Sequence, residues 1–334
     1  MTVDASSNTE RDHHYALYQS MTRIRAFEDA ALYESSRGNL YGALHVCIGQ
    51  EAIPAGIGRH LGAADYVTST HRGHGHAICK GADPKGMMAE LFGRADGICR
   101  GKGGSQHIAD FSIGMLGANG IVGAGFGIGA GAALRAKRAG NGAVSVVFFG
   151  DGAVARGTLH EVMNICVLWK LPVLFVCEHN EYAQWIAAAE NFCVDSIASY
   201  AAVYGMPARQ IDGTDALTVA ACAEEMIAPM RAGSGPAFIE ARAHRFYGHT
   251  STDVQVYRTR ERIAELRRTR DPLQLFRAAT HAAGVLSSAD MDALDEAAEA
   301  EMRAAADQAL AGAWPEPGDA WQDITAQDVS MAHG

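Results

Sequence analysis

The chain lacks several things that would assign it to a class at once. Its seven cysteines are an odd number, scattered, with no C-x-x-C pair. That excludes a disulfide framework and argues against a structural zinc site, so reduced and mostly buried thiols are expected. No run of Lys and Arg builds a basic face, which excludes nucleic acid as a partner. Of the 38 acids eleven lie from His281 onward, with one of the 28 bases, so residues 1 to 280 carry 27 of each and the net charge of -10 belongs to the C-terminal part. The first thirty residues include Asp4, Glu10, Arg11, Asp12, Arg23 and Arg25 and have no apolar core of signal-peptide type. Nothing marks export, and a cytoplasmic location is expected. One stretch, 111–134, has no charge over 24 residues, yet eight glycines with Ser112 and Asn119 make it too weakly apolar for a membrane span. No internal repeat is visible.

What is present suffices for a large core. With 334 residues, 48% apolar and 20% charged, the chain is neither disordered nor fibrous. Apolar residues at helical spacing over 9–37 predict a leading helix that stops at Gly38. Short helices and Gly/His-rich loops follow to 120, as at a site rim. Beyond it the pattern becomes regular. A small-residue helix runs to Arg138, a strand spans 144–149, a helix 157–169, and a strand 172–177. A helix near 195–204, a short strand at 208–211, a helix at 215–231 and a strand at 237–241 complete the series. Continuous apolar strands alternating with helices predict an α/β fold with a buried parallel sheet of at least four strands. The expected division is an N-terminal helical segment (1–40), an α/β domain (41–257) and a helical C-terminal tail (258–334), weakly ordered around Pro315 and Pro317.

The sharpest local feature is Gly150-Asp151-Gly152 at the end of one buried strand, with Asn180 placed 28 positions after Gly152, just past the next. Both lie at carboxyl ends, the edge where open parallel sheets bind ligands. A carboxylate, an amide oxygen and a backbone carbonyl suit a hard cation such as Mg²⁺, with diphosphate oxygens completing its shell. Gly150 and Gly152 let the backbone approach phosphate. The plainer alternative is that Asp151 caps a helix and Asn180 closes a turn.

These residues resemble a family: the alpha subunits of thiamine-diphosphate-dependent 2-oxo acid dehydrogenases and acetoin dehydrogenases. The diphosphate signature reads GDGAVARGTLHEVMNICVLWKLPVLFVCEHN here. STHRGHGHAICKGAD, MMAELFGRADGICRGKGGSQHIAD and GMLGANGIVGAG look most like acetoin dehydrogenase alpha subunits. GHTSTD followed by YRTRERI is similar to the family's active-site loop, and the likeness covers roughly residues 15 to 325. It implies the thiamine-diphosphate-binding fold, with thiamine diphosphate and Mg²⁺ as cofactors. By position, Asp151, Asn180 and the carbonyl of Tyr182 would hold Mg²⁺, and Gly150, Gly152 and Ala153 would line the diphosphate. His71 and Arg72 fall on the family's phosphate-pairing loop, where a guanidinium fork can meet two phosphate oxygens; read without the family, Arg72 is a solvated loop residue. Gly120, Ile121 and Val122 would meet the pyrimidine end, with core packing as the alternative for Ile121. His249 matches the loop histidine that faces cofactor and substrate, and its ordinary pKa lets it shuttle protons. His45 is a second catalytic candidate, and His107 is as readily structural.

The resemblance also implies partners. The acid beside the aminopyrimidine belongs to a beta subunit in heterotetrameric (alpha2beta2) members, and no residue here replaces it convincingly. The chain is therefore expected to be inactive alone. The implied reaction cleaves acetoin or decarboxylates a 2-oxo acid such as pyruvate, and passes the acyl unit to a lipoyl-bearing acyltransferase, for which Asp253 and Arg258 would order the loop. Several residues depart from the family's pattern: His179 replaces the first Asn of a pair, Ala155-Arg156 replaces Asn-Gln, and Gln184-Trp185-Ile186 replaces small or hydroxyl residues. They affect substrate specificity and motivate a different reading, a non-catalytic regulatory or assembly subunit. Thr250 stands where mitochondrial relatives carry a phosphorylated Ser. A third reading, a nicotinamide dehydrogenase, has only Gly125-Phe126-Gly127-Ile128-Gly129-Ala130 behind it, and that pattern lacks the strand it requires immediately before it. Gly123, Gly127 and Gly131 read instead as one helix face for close contact with another helix, across a subunit interface.

Overall fold

The computed structural model describes residues 5–322. In chain order its helices are α1 (Ala5–Ser36), α2 (Ala52–Gly58), α3 (His74–Lys80), α4 (Pro84–Leu91), α5 (Ala124–Ala139), α6 (Gly157–Leu168), α7 (Ala188–Asn191), α8 (Ser199–Ala202), α9 (Ala216–Arg231), α10 (Arg260–Arg270), α11 (Pro272–Ala282) and α12 (Ser288–Ala311). The strands are β1 (Tyr66–Thr68), β2 (Ser145–Gly150), β3 (Val173–His179), β4 (Tyr182–Ala183), β5 (Ile186–Ala187), β6 (Ala208–Asp212) and β7 (Ala237–Arg242). Five of them form one sheet in the order β1-β2-β3-β7-β6, every neighbour parallel, and β4 and β5 make a small antiparallel hairpin. This is the expected α/β class.

Successive strand residues point to opposite faces, and here both faces are covered. Val146, Phe148, Leu174, Val176, Ile239 and Ala241 join one core with Ile24 and Phe27 of α1 and Val219, Met226 and Met230 of α9. The alternate residues Val147, Phe149, Val173, Phe175, Cys177 and Phe238 join a second core with Phe126 and Ala133 of α5 and Leu159, Met163 and Cys166 of α6. The sheet is thus the middle of three layers, which is why its strands read as unbroken apolar runs. The acidic helix α12 lies along α1: Asp295 accepts from Tyr18 and Thr22, and Glu301 takes a two-pronged contact from Arg23 at 2.8 and 2.7 Å. All seven cysteines are free, four of them buried. No helix among the described residues is long and apolar enough to cross a membrane.

Several expectations shift. β1, the first strand of the sheet, falls in the stretch read as helices and loops, because three residues on a sheet edge leave no periodic signal. The helix expected near 195–204 shrinks to α8, and β3 extends through Glu178 and His179 before Asn180. After Pro315, a 3₁₀ turn spans Pro317–Trp321; the remainder of the expected weakly ordered stretch lies outside the described residues. Within the chain, the glycines of α5 divide between two faces. Gly127 and Gly131 look outward, with nothing within 4 Å of where a Cβ would stand. The close approach is made by Gly129, whose Cβ would meet Val147 Cγ2 at 2.2 Å, and by Gly125 against Thr68. Small residues here seat the helix on the sheet. The residues before α5 form turns rather than a strand, so the dinucleotide pattern has no structural support.

Candidate active site

Segments leaving the carboxyl ends of β1, β2, β3 and β7 meet the turn before α2 and the loop before α5 around one cleft of about 630 Å³. It is lined by His45, His71, Arg72, Gly120, Ile121, Val122, Gly150, Asp151, Gly152, Ala153, Asn180, Tyr182 and His249, so the structure brings all of these predicted residues together. His107 and Trp185 are not among the lining residues; both are exposed, Trp185 at 60%. Gln184 does line the cleft, with Ala155 and Arg156. Thr250, Asp253 and Arg258 lie just beyond it on the loop that carries His249.

Asp151 opens a 3₁₀ turn directly after β2 and is 2% exposed. Its Oδ1 accepts from the Gly152 N–H at 2.8 Å, while its Oδ2 is buried without a partner. Burial raises its pKa, against the pull of His179, the Gly152 N–H and Arg245. A half-satisfied buried carboxylate is costly, and a cation relieves it. Beside it, a Cβ on Gly150 would meet nothing within 4 Å, leaving room for an oxyanion. Asn180 is 8% exposed; its Oδ1 takes the Tyr182 N–H at 3.3 Å. Glu181 and Gln184 hold positive φ, so the chain between β3 and β5 is locally strained where it wraps the cleft. The Asp151 carboxylate and the Asn180 amide oxygen, both on residues lining the cleft, are hard donors of the kind that suits Mg²⁺.

His179, the departure from the family pair, stands between Glu240 and the Asp151 carboxylate. Its Nδ1 meets Glu240 Oε1 at 2.8 Å and its Nε2 stands 3.9 Å from Asp151 Oδ2. Burial would raise Glu240, but hydrogen bonds from His179, Ser196 and the Ala198 N–H take it down to about 2.

In the same cleft, the rings of His45, His71 and His249 pack together with centroids 4.6 to 5.1 Å apart, His45 edge to face with both others and His71 tilted on His249. Burial first, then the charge of Arg72, lowers His45 to about 3, His71 to about 2 and His249 to about 4. All three are neutral at pH 7, and His249 Nδ1 is buried without a partner. Their ring nitrogens lie within 4.8 Å of one another, a spacing that can hold a metal. Two guanidiniums decide against that. Arg72 is 4% exposed, not solvated, and donates to the carbonyls of Val46 and His249; burial lowers it to about 10. Arg245 is fully buried, donating to Tyr257 Oη at 2.8 Å and to the carbonyls of Gln184 and Tyr247. Neither is paired with a carboxylate, so their field repels a cation and attracts a polyanion.

The loop bearing His249 is clasped. Asp253 takes the His249 N–H at 2.7 Å, the Gln255 N–H at 2.9 Å and the Tyr257 hydroxyl at 2.8 Å. Arg258 donates to the carbonyls of Arg245 and Tyr247. Sequence reasoning missed Gln50, Gln106, Glu178 and Arg245 in the cleft. Arg245 had a usable signal, since it lies three positions past the end of β7, the same carboxyl edge that singled out Asp151. Glu178 had none: a buried acid inside an apolar strand is legible only once His76 is seen beside it at 3.2 Å.

A family model, the dehydrogenase E1 component, matches residues 19–317. Among similar proteins is the alpha subunit of acetoin:2,6-dichlorophenolindophenol oxidoreductase from Cupriavidus necator, 42% identical over 329 residues, covering 97% of this chain and 99% of that one. Its Bacillus subtilis counterpart is 49% identical over 261 residues, 78% of each chain. The pyruvate dehydrogenase E1 component subunit alpha of Zymomonas mobilis is 37% identical over 301 residues, 90% of this chain and 85% of that one.

Proposed function

The chain belongs to the dehydrogenase E1 component family, and from that premise we propose that it is the alpha subunit of a thiamine-diphosphate-dependent oxidoreductase that cleaves acetoin or decarboxylates a 2-oxo acid such as pyruvate. The acyl unit passes to a lipoyl-bearing acyltransferase. One observation carries the reading: a buried carboxylate oxygen of Asp151 without a partner faces the same cleft as two buried guanidiniums without carboxylates. Asp151 would hold a divalent cation and the two guanidiniums a diphosphate, which would satisfy both.

Asp151, Asn180 and the Tyr182 carbonyl would hold Mg²⁺, while Gly152 and Ala153 border the diphosphate. Arg72 and Arg245 supply the positive field, and Arg72 also ties the His45 segment to the His249 segment through the two carbonyls it holds. Thiamine diphosphate supplies the carbanion chemistry that breaks the bond next to the substrate carbonyl. A neutral imidazole both donates and accepts, so His249 and His45 can hold a substrate oxygen without adding charge; burial beside Arg72 removes the ordinary pKa expected of His249, so neither ring stores a proton at pH 7. At the far end, Ile121 is 70% exposed on the cleft rim, and the lining carboxylates among the described residues are Asp151 and Glu178, the latter bound to His76. An open apolar rim with no acid of its own supports a beta subunit that covers it and supplies one. Free cysteines suit a reducing, cytoplasmic setting.

Calorimetry on the co-purified alpha and beta pair tests this. Thiamine diphosphate should bind with Mg²⁺ and not with chelator, and Asp151→Ala should abolish binding. Binding that ignores the metal refutes the assignment. A screen of acetoin, pyruvate and branched 2-oxo acids with an artificial electron acceptor names the substrate, and turnover of any one by the pair excludes a merely structural subunit.

A further inference from the structure

Gln50 sits in the turn before α2 and is held from both sides. Gly49 has φ +98, and a Cβ on it would meet the His244 carbonyl oxygen at 2.1 Å, so the turn lies directly on the chain leaving β7. Glu51, fully buried, accepts the Gly49 N–H at 2.9 Å and pairs with Arg25. The Gln50 side chain, 1% exposed, therefore has little freedom, and it lines the cleft.

Its amide orientation follows from its neighbours. The Tyr182 N–H points at Asn180 Oδ1, which leaves Asn180 Nδ2 facing Gln50. Gln50 must present its oxygen there, and Oε1 accepts from Asn180 Nδ2 at 2.9 Å. The Gln50 Nε2 group is then left buried with no partner. Buried donors without acceptors are rare in native proteins because water cannot replace the lost bond. This one lies in the cleft, next to the amide that would hold the cation.

We propose that Gln50 is a positioning residue with two tasks: its oxygen turns the Asn180 amide so that Oδ1 serves the cation, and its Nε2 group donates to an oxygen of the cation-bound diphosphate. The inference rests on the reading of the preceding section and adds a residue to it. The two tasks separate chemically. Gln50→Glu keeps an oxygen for Asn180 Nδ2 but removes the donor and puts negative charge beside phosphate. Gln50→Met keeps the volume and removes both.

Calorimetry of thiamine diphosphate into the co-purified pair, at saturating Mg²⁺ and across a Mg²⁺ titration, distinguishes them. Gln50→Glu should weaken thiamine diphosphate at least 10-fold, on the order of what losing one hydrogen bond to a charged group costs, with the Mg²⁺ requirement unchanged or lower. Gln50→Met should weaken thiamine diphosphate and raise the Mg²⁺ requirement together, which a residue that only packs would not do. Affinity within twofold of wild type in Gln50→Glu overturns the donor task, and an unchanged Mg²⁺ requirement in Gln50→Met overturns the orienting task; either variant, if folded, is decisive for its own. Failure of the wild-type pair to bind thiamine diphosphate would instead sink the functional reading, before any variant is made.

Discussion

Adding one methyl group at Gly129 and, separately, at Gly127 should move stability in opposite directions, although both residues lie inside α5 two positions apart. At Gly129 the new Cβ would stand 2.2 Å from Val147 Cγ2, against an ordinary contact of 3.4 Å or more. Val147 is fully buried in the middle of β2, so it cannot swing away. The helix must lift from the sheet by more than 1 Å, which places the cost at the upper end of overpacking, about 3 kcal/mol. Replacing a helical Gly by Ala returns about 1 kcal/mol. Gly129→Ala should therefore lose about 2 kcal/mol net of those two effects. At Gly127 there is no neighbour within 4 Å, and only the propensity gain remains, about 0.5 to 1 kcal/mol in favour. Urea denaturation of the chain alone, followed by circular dichroism, measures both. A Gly129→Ala midpoint equal to or above wild type would mean that α5 does not sit on the sheet as described. A comparable loss in Gly127→Ala would mean that the outward face is buried against something.

The histidine trio predicts an acid limit. His45, His71 and His249 stay neutral in the fold and titrate near 6.5 when unfolded, so stability is complete above that pH and is lost as pH falls toward about 4. Each contributes a slope of up to about 1.4 kcal/mol per pH unit, and urea midpoints from pH 7 to 5 should flatten in a triple His→Gln variant; an unaltered slope contradicts the assignment. Asp253→Ala removes the acceptor of the His249 and Gln255 N–H groups and of the Tyr257 hydroxyl. Proteolysis between 247 and 258 should then accelerate by roughly 10-fold or more, the value of one charge-assisted bond, and unchanged cleavage would show that the clasp does not hold the loop. Glu90, fully buried, gathers the N–H groups of Cys99, Gly101, Gly103 and Gly104 at 2.7 to 3.0 Å. Glu90→Gln points an amide NH₂ at some of those donors, and should cost about 2 kcal/mol or more by leaving them unsatisfied; thermal melts that overlay wild type would refute this.

Legibility followed the range of the interactions involved. β2, β3 and β7 could be read because strands covered on both faces are apolar at every position, a property written in consecutive residues. Asp151 and Asn180 could be read because the strand–helix–strand spacing puts both at one sheet edge without any knowledge of the rest. β1 could not, being three residues whose partner is about eighty positions away. The spacing of Gly127 and Gly131 put both on one outward face of α5, but that Gly125 and Gly129 seat the helix on the sheet depends on how the helix is rotated against Val147 and Thr68, which the spacing does not say.

Local order and the apolar pattern alone thus determined the fold class, the position of the carboxyl-edge turns and the chemistry of the oxygens they carry. Only the tertiary structure decided which charges those turns would face. His45, His71 and His249 lie far apart in the chain and acquire their depressed pKa values from burial beside Arg72, itself buried by contacts to Val46 and His249. Gln50 acquires its unpaired amide from the orientation of Asn180. Desolvation and Coulomb interaction act over a few ångströms of space regardless of distance along the chain, and that proximity exists only once the chain is folded.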